Sequence, residues 1–275
     1  MKNLLLLLCL SHFAIGQSIK GTVFDNATKE PIPFASIGIK GKTLGTVCDE
    51  NGNFELTITS ATDADSLKIS SIGYKSKCFV MSKAKNFDSE RIFLLQTTVQ
   101  LSEVTVRPTK TITKILGNKR YNENVKCFFQ GANGNYKGVE VAIKADNKKG
   151  RLVWIEDFNF YINQCLFKDS IAFRLNFYKE DKEGLAGENI LQKPIIFKIA
   201  PRLGAFKIDL KKYNINTVDD FFISLECITG AIDNKTLAFS GGLVGPTYFK
   251  LASFSNWEKA PLPGLDFNVT VTYQK

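Results

Sequence analysis

Residues 19–56, IKGTVFDNATKEPIPFASIGIKGKTLGTVCDENGNFEL, read as short strands separated by turn chemistry. Ile19, Gly21 and Val23 alternate with Lys20, Thr22 and Phe24. After the turn DNATKEPIP come Phe34 to Ile39, then Gly45 to Cys48, then Asp49-Glu50-Asn51-Gly52-Asn53, then Phe54 to Ile58. Asn-Gly between alternating runs is a strong hairpin signal, because both central residues of such a turn need positive φ. The stretch predicts a small β domain.

The residues Gly21-Thr22-Val23, Asp25, Glu30 to Ala35, Gly45-Thr46, Asp49 to Phe54 and Ser71-Ile72-Gly73-Tyr74 carry a resemblance. Together they resemble the carboxypeptidase-regulatory-like domain, a prealbumin-like β-sandwich of secreted and outer-membrane proteins of Bacteroidetes. The resemblance implies a β-sandwich over 17–106 and an exported protein, and it leaves the activity open. In SusC-like TonB-dependent receptors a piece similar to Leu101-Ser102-Glu103-Val104-Thr105-Val106 leads to the plug and barrel. About 170 residues follow Pro108 here, whereas a barrel of roughly 22 strands, each of about ten residues, needs several hundred. The expectation is the receptor's front module without plug and barrel.

Residues 1–16 read as a secretory signal. Lys2 is the positive region, Leu4 to Leu10 the apolar core, and Ala14-Ile15-Gly16 a small-residue cleavage site before Gln17. The apolar run is too short to span a bilayer. Leu8 stands before Cys9 where a lipobox wants a small residue, which argues for ordinary secretion rather than lipidation. No later segment reads as a transmembrane helix. The chain's one histidine, His12, leaves with the signal. Histidine-dependent nucleophilic sites and imidazole zinc sites are thereby excluded from the mature chain. No metal or other cofactor is expected.

The remaining cysteines, Cys48, Cys78, Cys127, Cys165 and Cys227, are scattered without a CxxC pair. They read as mostly buried free thiols, with Cys48 and Cys78 the pair that a bridge would join. The net charge of +9 is spread over turns and alternate strand positions. That pattern fits solvated strand edges and gives no nucleic-acid signature.

Residues 107–120 (RPTKTITKILGNKR) read as a polar, basic linker. From Tyr121 the composition changes: 24 of the 32 aromatics, both tryptophans included, lie between there and the end. Val139, Val141 and Ile143 share a face, as do Phe158, Phe160 and Ile162, and Ile171, Phe173, Leu175 and Phe177. Turn signals separate these runs, among them Asn133-Gly134-Asn135 and Pro261 to Gly264. The fold class is all-β, a prealbumin-like sandwich followed over 121–275 by an antiparallel, jelly-roll-like sandwich.

No catalytic residue is assigned. Glu156-Asp157 lies in a strand run, where neighbours point to opposite faces and so would not line one cleft. Asp219-Asp220 reads as a turn into a strand. If the phenylalanines are buried, then Tyr161 on one strand and Arg174, Asn176 and Tyr178 on the next form an outward face. Amides, a guanidinium and tyrosine rings suit a sugar or peptide ligand, and they equally suit an ordinary solvent face. The function expected is a non-enzymatic exported envelope protein, periplasmic or outer-membrane associated, with a structural, docking or interaction role. Glycan binding through the C-terminal sheet is the alternative, and a carboxylate-based hydrolase a distant one. The partner is an envelope protein or a glycan.

Overall fold

The computed structural model describes residues 17–97, 110–119, 122, 124–128, 131, 136–147, 150–229, 236–243 and 245–275. Residues 1–16, read as a signal, Tyr121 and Asn133-Gly134-Asn135, read as a turn, lie outside the described residues.

The N-terminal module contains β1 (Gln17–Asp25), β2 (Ser36–Ile39), β3 (Gly45–Val47), β4 (Asn53–Ile58), β5 (Ser66–Ser70), β6 (Lys77–Val80), one helical turn α1 (Met81–Ala84), and β7 (Glu90–Leu94). A sheet in the order β4-β1-β7 faces a sheet in the order β3-β2-β5-β6. Alternation supplies the core between them, with Ile19, Val23, Leu56 and Ile92 from one layer and Ile37, Ile39, Leu67 and Ile69 from the other. Asp25 ends β1 as a buried tie. It accepts hydrogen bonds from Gln96, from Tyr74 Oη at 2.9 Å and from the Ala27 N–H at 2.7 Å. Those bonds, the one from Gln96 foremost, hold its carboxyl near 2.

The Asn51-Gly52 turn departs from its sequence reading in two ways. Only Gly52 of the pair takes positive φ, at 74°, and the Asp49 carboxylate accepts the Asn51 and Asn53 N–H groups at 2.8 Å each. The turn closes locally through Asp49 N–H to the Asn53 carbonyl at 2.9 Å, yet β3 and β4 belong to different sheets. It is a crossing between layers rather than a hairpin. A Cβ at position 52 would also lie 2.7 Å from the Val23 carbonyl oxygen, so glycine is required there twice over.

The C-terminal unit contains β8 (Thr111–Gly117), β9 (Lys126–Phe128), β10 (Glu140–Ala145), β11 (Val153–Cys165), β12 (Ile171–Glu180), β13 (Ala186–Asn189) and β14 (Ile195–Ile199). It continues with β15 (Gly204–Asp209), β16 (Asn216–Thr217), β17 (Phe221–Cys227), β18 (Leu237–Gly242), β19 (Thr247–Lys250), β20 (Glu258–Ala260), β21 (Gly264–Leu265) and β22 (Asn268–Gln274). One sheet runs β13-β12-β17-β10-β19-β20, with β14 also on β12. The other runs β21-β18-β11-β22-β8, with β15 and β16 also on β11 and β9 on β18. Phenylalanines fill the space between. Phe158, Phe160, Phe173, Phe177, Phe221, Phe239 and Phe267 are all buried in one core, and Phe160 stacks on Phe206 at 5.1 Å. The protein is all-β, as the period-two patterning requires.

Three sequence expectations are corrected. Thr111–Gly117, read as linker, is β8 and pairs along its length with β22; its polar alternation is that of an edge strand. Strands β11 and β12, expected side by side, belong to opposite sheets, so Tyr161 does not share a face with Arg174, Asn176 and Tyr178. Finally, the β11–β22 register slips between Ile155 and Asp157. This bulge lets Glu156 and Asp157 line the same cleft, contrary to strict alternation.

Candidate functional site

The outward face of the first C-terminal sheet is not bare. Strand alternation sends Phe173, Leu175 and Phe177 into the core and Arg174, Asn176 and Tyr178 to the other side. Register then places Arg174 opposite Glu226, Glu226 opposite Glu140, and Glu140 opposite Lys250. Four charges thus cross β12, β17, β10 and β19 in the order plus, minus, minus, plus. Two glutamates directly opposite would repel, and the outer cations offset that repulsion.

The Arg174 end of the row is buried against the N-terminal module. Arg174 is 4% exposed and Glu226 5%. Arg174 Nε donates to Glu226 Oε2 at 2.8 Å, Nη1 to the Phe34 carbonyl oxygen at 2.7 Å and Nη2 to Ser36 Oγ at 2.6 Å. One guanidinium therefore ties β12 to the chain leading into β2. Burial alone would depress this guanidinium, but Glu226 beside it leaves it above its ordinary value. Glu140, 1% exposed, accepts from Tyr178 Oη at 2.8 Å, Asn176 Nδ2 at 2.9 Å and Ser224 Oγ, and it pairs with Lys250 Nζ at 2.6 Å. Burial pushes its carboxyl up, yet Lys250 and these donors together hold it below the usual range. Tyr178 is pushed well up by burial and by Glu140.

Close backbone approach completes the joint. Ser253 Oγ donates to the Thr46 carbonyl at 3.1 Å and Gly41 N–H to the Phe254 carbonyl at 2.9 Å. A Cβ on Gly45 would sit 2.6 Å from the Ser253 carbonyl oxygen, so the second module approaches this motif glycine too closely for any side chain to fit. Val47, Ala172 and Ile228 add a small apolar cluster. Beside this joint a cleft of about 710 Å³ stays open, with Ser70, Ser71 and Tyr74 on one wall and Asn176, Tyr178 and Lys250 on the other.

The structure therefore brings together three of the four predicted site residues, Arg174, Asn176 and Tyr178, and leaves Tyr161 on the opposite sheet. Sequence reading missed Glu140, Ser224, Glu226 and Lys250. Glu140 is flanked by core Val139 and Val141, and Glu226 follows core Leu225. Alternation extended to these positions turns both outward; what the sequence lacks is the order of strands. Among the described residues all five cysteines are free, with Cys48 and Cys227 buried and Cys78 exposed. Also among them, no three His, Cys, Asp or Glu side chains gather to hold a metal ion, and no helix is long and apolar enough to cross a membrane.

A separate buried acid sets a pH dependence. Asp266, between β21 and β22, has Oδ1 without a hydrogen-bond partner, and burial raises its carboxyl to about 6. Because the folded value exceeds the ordinary one, its contribution is favourable at low pH and is lost as pH rises through about 6. Asp266→Asn should raise the melting temperature at pH 7–8 and leave it unchanged near pH 4. The gain should be about 1–2 kcal/mol once the shift is discounted for solvent screening. Thermal unfolding of both proteins across pH 4–8 checks this; parallel curves would refute it.

Residues 19–106 match the CarboxypepD_reg-like domain; the N-terminal module is such a domain. Over 99 residues the chain is 35% identical to the TonB-dependent receptor SusC of Bacteroides thetaiotaomicron, a match covering 36% of this chain and 9% of the receptor. The chain thus aligns with only a small part of that relative's length. Among solved structures, the Gx strain of infectious bursal disease virus aligns at TM-score 0.26 and 9% identity, covering 88% of this chain and 60% of that one. T=1 particles derived from the virus align at TM-score 0.23 and 9% identity, covering 88% and 55%. These likenesses are too remote to bear on fold or role.

Proposed function

We propose that this chain is a non-enzymatic, exported envelope protein in which the CarboxypepD_reg-like module docks on the C-terminal sandwich and the pair serves as a structural or protein-interaction unit. The observation that carries this reading is the buried Arg174, whose donors are divided between Glu226 of its own sheet and Phe34 and Ser36 of the other module. In this reading Arg174, Asn176 and Tyr178 are docking residues. The domain match and the similarity to SusC support the envelope setting. In-cell cross-linking of the tagged full chain, followed by fractionation, tests it. A discrete protein adduct in the envelope fraction is expected, whereas recovery from the cytoplasm without an adduct would overturn the reading.

A second reading, glycan binding by the C-terminal sandwich, is favoured by one observation. Clefts lined by hydroxyls and paired charges border both outer faces of that sandwich.

A further inference from the structure

The outer face of the β11 sheet carries a feature that the docking interface does not use. Trp154 lies between core residues Val153 and Ile155, so alternation turns it outward, and the bulge that follows adds Glu156 and Asp157 to the same side. These three line a cleft of about 440 Å³, within the range of small-ligand sites. Four threonine hydroxyls and Lys211 complete the lining.

The cleft is built rather than incidental. The segment after β15 folds over the bulge, with Leu210 N–H donating to the Glu156 carbonyl and Ile155 N–H to the Ile215 carbonyl at 2.9 Å each. Thr272 Oγ1 donates to Glu156 Oε1 at 2.6 Å. Asp157 accepts from Asn159 Nδ2 at 2.6 Å and pairs with Lys207 at 3.0 Å. Burial would raise the Asp157 carboxyl, but Thr270, Lys207 and Asn159 hold it below the usual range, so it stays an acceptor. Trp154 is 3% exposed, and its indole N–H, shut off from water, has no acceptor. Buried donors are seldom left unpaired, and a bulge beside such a group is a common device for aiming side chains at a ligand.

We propose that this cleft binds a short neutral saccharide, with sugar hydroxyls donating to Glu156 and Asp157 and the Trp154 ring turning on binding so that its indole N–H, closed to solvent in the free protein, meets a further hydroxyl. The chemistry selects that class. Two carboxylates are balanced by Lys207 and Lys211, which disfavours both anions and cations, while carboxylates, hydroxyls and an N–H suit a ligand that donates and accepts through many hydroxyls. The proposal rests on the glycan-binding reading and is independent of the docking interface.

The test uses the full chain and a panel of maltose, cellobiose, lactose and chitobiose, with spermidine and glucose 6-phosphate as charged controls. Titration calorimetry should show saturable binding of at least one neutral disaccharide. In a Trp257→Phe background the same sugar should shift the emission of Trp154, which is then the single tryptophan. Trp154→Phe and Glu156→Gln should each weaken binding at least about tenfold; if either misfolds, Lys211→Ala on the rim serves for the same comparison. Undiminished binding in these variants would overturn the assigned site and leave glycan binding standing. Absence of binding by every neutral sugar, or preference for a charged control, would overturn both.

Discussion

Arg174→Ala should destabilise the chain by about 3–5 kcal/mol, because it leaves Glu226 buried without its counter-ion. Thermal unfolding should then split into two transitions, since the same substitution removes the bonds to Phe34 and Ser36 that couple the modules. The sign reverses when both partners go. Arg174→Met with Glu226→Leu removes the desolvation cost along with the attraction, and such exchanges are often neutral or stabilising. The double variant should regain most of the sandwich's stability while the modules stay uncoupled, so that limited proteolysis cuts between them faster than in wild type. One cooperative transition in both variants, with unchanged proteolysis, would mean that Arg174 does not hold the joint.

Which sequence readings held follows from how local they were. Period-two alternation needs only neighbouring residues, and it separated Phe173, Leu175 and Phe177 from Arg174, Asn176 and Tyr178 correctly. It could not say what lies opposite an outward residue. The face read as open to solvent is covered at its Arg174 end by another module, and its charges became a row only through pairings between strands far apart in sequence. Tyr161 was misplaced because the short connection after β11 passes to the other sheet instead of turning back beside its own strand. The Glu156-Asp157 bulge was hidden for a similar reason. A bulge is a count of residues against a partner strand, and that partner, β22, lies more than a hundred residues later. Thr111–Gly117 carried alternation too, but its lysine and threonines masked an edge strand as a linker.

Phe173→Ala should cost about 3–5 kcal/mol, the usual range for emptying a buried aromatic site. Phe173 has no exposed surface, and its ring lies 6.3 Å from Phe239 of the opposite sheet and 6.4 Å from Phe197 of the neighbouring strand. Phe239 in turn meets Phe160 at 5.9 Å and Phe267 at 5.2 Å. The cavity would therefore open at a junction between the layers, where rings packed edge to face have little freedom to collapse inward. A loss of that size lowers the melting temperature by about 10 °C or more in a domain of this length. Phe173→Leu, which refills much of the volume, should lose markedly less. Tyr178→Phe serves as the contrast, since it keeps the ring and removes one hydrogen bond to Glu140, a bond worth about 1–3 kcal/mol to a charged, buried acceptor. Equilibrium denaturation of the three variants ranks them. If Tyr178→Phe proved costlier than Phe173→Ala, the stability of the sandwich would reside in its polar joint with the first module rather than in its phenylalanine core.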